Sequence, residues 1–159
     1  MKYILIIKFV MLLVLFEIVM SLLRAKRRIV QWKLANKRKQ ETNKRLLVVG
    51  NPNNGGWSSV MGAEYGCGDV CTDLVGCEKC PSSIQGDLIE VLRTLSDNSV
   101  VIFESCVLEY VSNINEVKKE MIRISGGDVF SVRIGLTLMN VYYFPSLWTN
   151  EPQIVNKLL

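Results

Sequence analysis

Twenty-one consecutive residues near the amino terminus, YILIIKFVMLLVLFEIVMSLL at positions 3–23, constrain this chain more than any other feature. As a helix rising ~1.5 Å per residue they cover the ~30 Å hydrocarbon layer of a bilayer. Fifteen of them are Leu, Ile, Val or Phe, and only Lys8 and Glu17 are charged. Each of those apolar residues favours insertion by about 0.3 to 0.6 kcal/mol, against a cost of roughly 3 kcal/mol for a charge at mid-bilayer, so insertion wins. Lys8 lies near one end and can extend its ammonium to the head groups, and Glu17 lies towards the other boundary. Nine positions apart, at ~100° per residue, the two charges fall on opposite helix faces, which disfavours an amphipathic helix lying in the membrane plane.

A cleaved signal peptide is the competing reading, but Arg24 follows the apolar run directly and no small-x-small cleavage pattern is present there. The flank RAKRRIVQWKLANKRKQETNKR carries ten basic residues, whereas Lys2 alone precedes the span. The positive-inside rule then predicts a single-pass membrane protein with its carboxyl-terminal body in the cytoplasm. The flank serves as a stop signal and as a surface for anionic lipid, as a segment or helix with Ile29, Trp32 and Leu34 near the interface. Residues 1–45 have a net charge of +10 and the remainder −6, so the body is a poor nucleic-acid surface.

The division is therefore a transmembrane helix at 1–23, a basic juxtamembrane segment at 24–45 and one domain at 46–159, with the polar stretch 36–44 as the linker candidate. The domain opens on the continuous apolar run Leu46 to Val49, the pattern of a buried parallel strand, and stops at Gly50 before a loop rich in Gly, Asn and Pro. Further strands are predicted at 99–103 and in DVFSVRIG after Gly126-Gly127, and a last one at 138–144. Helical spacing places Leu88, Val91, Leu92 and Leu95 on one face, and Ile114, Val117, Met121 and Ile124 on another. Strands alternating with helices predict an α/β fold, a small and mostly parallel sheet flanked by helices. Trp148 and neighbouring aromatics are expected to cover a sheet edge.

The order of these segments resembles a class I S-adenosylmethionine-dependent methyltransferase over roughly residues 46–134. LLVVGNPNNGG is similar to that family's first strand and Gly-rich loop, DVCTDL to its second strand ending in an acid, and QGDL to its "GD" element. SVVIFESCVLEYV resembles the fourth strand followed by "LEHV", and INEVKKEMIRISGGDVFSV the helix, GG turn and fifth strand. The resemblance implies a Rossmann-like sheet that binds S-adenosylmethionine. Gly50, Asn51, Gly55 and Gly56 would form the close backbone approach to the cofactor, and Asp73 would accept hydrogen bonds from its ribose. Asp87 would lie near the adenine, and Glu104, Ser105 and Cys106 beneath the sulfonium, with Glu104 and Glu109 as polar groups around an unidentified small or lipid-associated methyl acceptor.

Each position also has a plainer role. The glycines suit a tight turn, Asp87 precedes an apolar helical pattern as an ordinary N-cap, and Glu109 can pack or face solvent. The chain departs from the family pattern where Val48 replaces the usual acid of the first strand, where Pro52 and Asn54 replace glycines, and where Tyr110 replaces the His of "LEHV". A catalytically inactive methyltransferase-like interaction module is the alternative that these departures favour. Cys67, Cys71, Cys77 and Cys80, spaced C-x3-C-x5-C-x2-C, offer four possible zinc ligands. Only the last pair has the familiar spacing, so no metal is expected, and Cys71 reads as a small buried hydrophobe. A cytosolic body disfavours disulfides and an exported one favours them. Cys106, with no histidine in the chain to lower its pKa, reads as a packing residue.

Overall fold

The computed structural model describes residues 2–52 and 65–133. Gly55, Gly56, the strand predicted at 138–144 and Trp148 therefore lie outside the described residues.

One helix, α1, runs without a break through Lys2–Thr42, about 60 Å at the ordinary rise. Its first half is the apolar run, and an 18-residue window of it is wholly unburied by the rest of the protein. By length and composition this helix can cross a membrane. The second half departs from the expected lipid-facing flank, and the supposed linker is helical to Thr42. Ala25, Arg28 and Ala35 are buried and, with Trp32, recur three or four positions apart on one helix face. Trp32 packs edge-on against Phe103 at 5.1 Å between ring centres and touches Tyr65 at 6.0 Å, instead of lying at a lipid interface.

Asn43, with φ of +53°, turns the chain into β1 (Arg45–Val49). Four more strands follow: β2 (Val70–Asp73), β3 (Ser83–Gln85), β4 (Val100–Ser105) and β5 (Val129–Val132). Between them lie α2 (Leu88–Arg93), a 3-10 turn at Leu108–Tyr110, and α3 (Ile114–Ser125). All strand pairs are parallel, in the order β3-β2-β1-β4-β5. The α/β class, the parallel sheet and its flanking helices are as the alternating periodicity predicts. The edge strand β3 is not, because its three residues carry no apolar run.

Alternation along each strand divides the core in two. Leu46, Val48, Val101, Phe103, Phe130 and Val132 face α1 with Trp32 and Ala35. Leu47, Val49, Ile102 and Val129 face α2 and α3, meeting Leu92, Val117, Met121 and Ile124. The second half of α1 thus supplies the layer that closes one face of the sheet. Gly126 ends α3 in the left-handed region at φ +69°, and its N–H bonds the Ile122 carbonyl as a C-cap. Ion pairs lock α1 and the turn after it to the amino ends of the strands: Arg38 Nε and Lys44 Nζ meet the Asp128 carboxylate at 2.7 and 2.9 Å, and Lys39 meets Asp69 at 2.7 Å. Burial opposes ionisation of both acids, but the Leu46 N–H and Lys39 at Asp69, and Lys44 and Arg38 at Asp128, hold them below the usual carboxylate range.

Candidate functional site at the carboxyl edge of the sheet

A cavity of about 640 Å³ opens at the carboxyl ends of β1, β2 and β4. The chain leaves β1 to one side for β2 and reaches β4 on the other, so the cavity lies where the strand order reverses, the place at which open α/β sheets leave a crevice. Its size is that of a pocket for a small organic ligand, typically ~300–1,000 Å³.

Gly50 and Asn51 form one wall. The Gly50 N–H donates to the Thr72 carbonyl at 2.8 Å, and φ at Gly50 is +97°. A Cβ there would come within 2.6 Å of Val107 Cγ2, so glycine is required for conformation and for space. The Asn51 N–H donates to Asp73 Oδ2 at 2.9 Å, and Val75 N–H to Asp73 Oδ1 at 3.2 Å. The Asp73 carboxylate, at the tip of β2, thereby fastens the loop after β1 to the loop after β2, and both loops line the same cavity. One such bond per oxygen leaves acceptor capacity on each, since a carboxylate has about four lone-pair sites. Thr72 Oγ1, on the same strand, is buried with no hydrogen-bond partner among the described residues. Asp87 borders the cavity and caps α2, its Oδ1 accepting from the Ile89 N–H at 3.0 Å; the ordinary N-cap role is the one its hydrogen bond shows.

The opposite wall comes from β4. Ser105 and Cys106 line the cavity, whereas Glu104 and Glu109 do not. Strand alternation turns Glu104 away, into the layer between the sheet and α3, where it is 0% exposed. There Oε1 accepts from the N–H groups of Val107 at 2.6 Å and Leu108 at 3.2 Å, and Oε2 accepts from the Ser131 hydroxyl. Burial pushes the Glu104 carboxyl up to about 7, against the pull of those donors, and neighbouring Glu109 adds to the rise. Glu104 braces the turn after β4 and the β4–β5 pair. Burial also raises the Cys106 thiol to about 11, so it is a protonated neutral group at physiological pH.

Arg28 was not legible as a site residue. It is 9% exposed and reaches from α1 across the carboxyl end of β4: Nε donates to Ser105 Oγ at 2.9 Å, and its guanidinium carbon stands 5.6 Å from the centre of the Tyr65 ring. It is the one basic residue of the cavity wall among the described residues. The only available signal was the helical spacing of residues 25, 28, 32 and 35 on a segment dominated by charge.

The cysteines are paired, Cys67 with Cys80 and Cys71 with Cys77. This corrects the reading of Cys71 as a free hydrophobe, and among the described residues no group of three or more His, Cys, Asp or Glu side chains is placed to hold a metal. The inner bridge closes the short loop that carries Asp73, Leu74 and Val75 along the cavity. Free Cys106 contacts Ser105 and Arg28 instead. No protein-family model, curated protein or solved structure matches this chain.

Proposed function

We propose that the chain is a membrane-tethered, S-adenosylmethionine-dependent methyltransferase-like protein with a Rossmann-like sheet, acting on a small or lipid-associated acceptor. The observation that carries this reading is one crevice at the reversal of strand order, shared by Gly50, Asn51 and Asp73 on one side and Ser105 and Cys106 on the other. The residues suit the cofactor. Gly50 lets a ligand approach the backbone, Asp73 retains acceptor capacity for ribose hydroxyls, and the unpartnered Thr72 hydroxyl offers a further contact.

Bound there, S-adenosylmethionine supplies a methyl group already activated on a sulfonium. The protein's share is then orientation, which alone can account for much of an acceleration. Ser105 and Arg28 would position the acceptor, and the neutral Cys106 thiol would wall the site without competing as a nucleophile. Glu104 serves the site by fixing the turn that carries Cys106 and Val107 and stays out of contact with the acceptor. Calorimetric titration of the full chain in nanodiscs tests the reading: binding heat is expected, and neither heat nor thermal stabilisation at millimolar cofactor would sink it.

A non-catalytic methyltransferase-like module is favoured by one observation. Val48, standing where the family carries an acid, is fully buried among apolar side chains facing α1 and cannot be replaced functionally by a neighbour on that strand. Cofactor binding without turnover on any membrane extract would select this reading.

Two observations bear on which side of the membrane holds the body. The basic flank favours the cytoplasm, and it acts during insertion, before folding pairs Arg38 or Lys44 with Asp128. The two disulfides favour an oxidising compartment. Thiol trapping in intact cells, together with protease protection of the body, decides between them.

A further inference from the structure

α1 and β1 run in opposite directions, because only Asn43 and Lys44 separate them. Side-chain contacts trace the same polarity: Arg38 and Lys39, late in α1, and Lys44 just after it meet Asp128 and Asp69 at the amino ends of the strands, while Arg28 meets Ser105 at the carboxyl end of β4. The carboxyl edge of the sheet, with its cavity, therefore points back along α1 towards the apolar run. Arg28 follows Leu23, the last residue of that run, by five positions, or ~7.5 Å along the helix axis. The cavity wall thus stands at the level of lipid head groups whenever the apolar run spans a bilayer.

An independent observation agrees. Outside α1, the large apolar side chains left exposed among the described residues are Leu74, Val75, Tyr110 and Ile122. The first three all sit on the cavity, Leu74 and Val75 from the loop after β2 and Tyr110 from the turn after β4. Exposed apolar groups gathered at one end of a domain mark a surface that meets a partner or a membrane. Here that end is the one the anchor holds against lipid.

We infer that the cavity opens onto the bilayer surface and takes an anionic amphiphile from it, with Leu74, Val75 and Tyr110 entering the interface and Arg28 meeting the phosphate or carboxylate of the head group. This rests on α1 spanning the membrane and names the acceptor class for the proposed site. It does not depend on methyl transfer. Arg28 is the one basic residue lining the cavity among the described residues, so its positive charge is what draws an anionic head group to this wall. The acidic groups, Asp73 and Asp87, lie on the other side of the cavity, where a nucleoside would be held.

Photo-crosslinking of the full chain in nanodiscs tests this, with p-benzoylphenylalanine replacing Val75, Tyr110, Asp97 or Phe16 in separate variants. Asp97 lies in the exposed turn before β4, at the amino edge of the sheet, and Phe16 within the span. Lipid adducts are expected at 16, 75 and 110 and not at 97. In bilayers mixing phosphatidylcholine with phosphatidylglycerol, adducts at 75 should be enriched in phosphatidylglycerol about tenfold over its share, and Arg28→Gln should abolish that enrichment. Adducts at 16 without adducts at 75 and 110 would overturn the inference while leaving the anchor intact, and absence at 16 would remove the spanning helix and the inference together. Adducts at 75 that mirror the bilayer composition would remove the anionic ligand.

Discussion

Replacing Glu104 by Gln should remove a pH dependence from the stability of the whole protein. Glu104 is fully buried, and its carboxyl is raised from 4.5 to about 7. A group held above its unfolded value binds its proton more tightly when folded, so its contribution is fully present below pH 4.5 and is lost as pH rises through 7. At ~1.4 kcal/mol for each tenfold change in proton affinity, that displacement corresponds to about 3 kcal/mol between the two limits. Glutamine preserves the shape: its carbonyl can accept from the Val107 and Leu108 N–H groups, and its amide can donate to a rotated Ser131 hydroxyl. Chemical unfolding of wild type and Glu104→Gln, followed by tryptophan fluorescence in the same micelles from pH 4 to about 9, isolates the effect because titrations of groups not coupled to Glu104 cancel in the difference. The variant should match the wild type or fall slightly below it at the acid end and gain about 3 kcal/mol relative to it at the alkaline end. A difference that stays constant across the range would refute the buried-carboxylate reasoning.

On the proposed function, Asp73→Ala should weaken binding of S-adenosylmethionine by about 10- to 100-fold in calorimetry, since it removes the proposed acceptor for ribose and the tie to Asn51. Gly50→Ala should destabilise by about 1–3 kcal/mol and narrow the cavity, because its Cβ would collide with Val107 and the backbone lies in the left-handed region; thermal melting and cofactor titration read both effects. Asp128→Asn should cost about 2–3 kcal/mol by removing the buried anion that Lys44 and Arg38 share, with the largest loss near neutral pH. Asp128 is held below 3.8, so its contribution is present above that value and disappears as pH falls through the folded value, and the variant should converge on wild type in acid. Reduction of the Cys71–Cys77 bridge should lower stability by about 2 kcal/mol and loosen the Asp73 loop, seen as faster amide exchange at Leu74 and Val75. An unchanged melting temperature after reduction would count against a structural role for the bridge.

Local pattern alone made the apolar helix, the strands of Leu46 to Val49 and of 99–103, and the two amphipathic helices legible, because a period of 2 or 3.6 is written in neighbouring residues. Gly50, Asn51 and Asp73 were legible as a set only through the resemblance in segment order, and the structure brings them to one cavity. Three other features were decided by residues distant in sequence. β3 exists because Ser83 and Ile84 pair with Cys71 and Thr72, beside a loop stapled by two disulfides. The fate of residues 24–42 depended on an apolar sheet face formed by Leu46, Val48 and Phe103, distant in sequence, against which Ala35 and Trp32 could be buried. Glu104 and Arg28 exchange the roles expected of them for a similar reason. Strand alternation sends the carboxylate into the core, where N–H donors await it, and a helix reserved by its charge for lipid carries its guanidinium into the cavity. Hydrophobic periodicity is set within a few residues and survives without a fold, whereas the environment of a buried charge is assembled from every element packed around it.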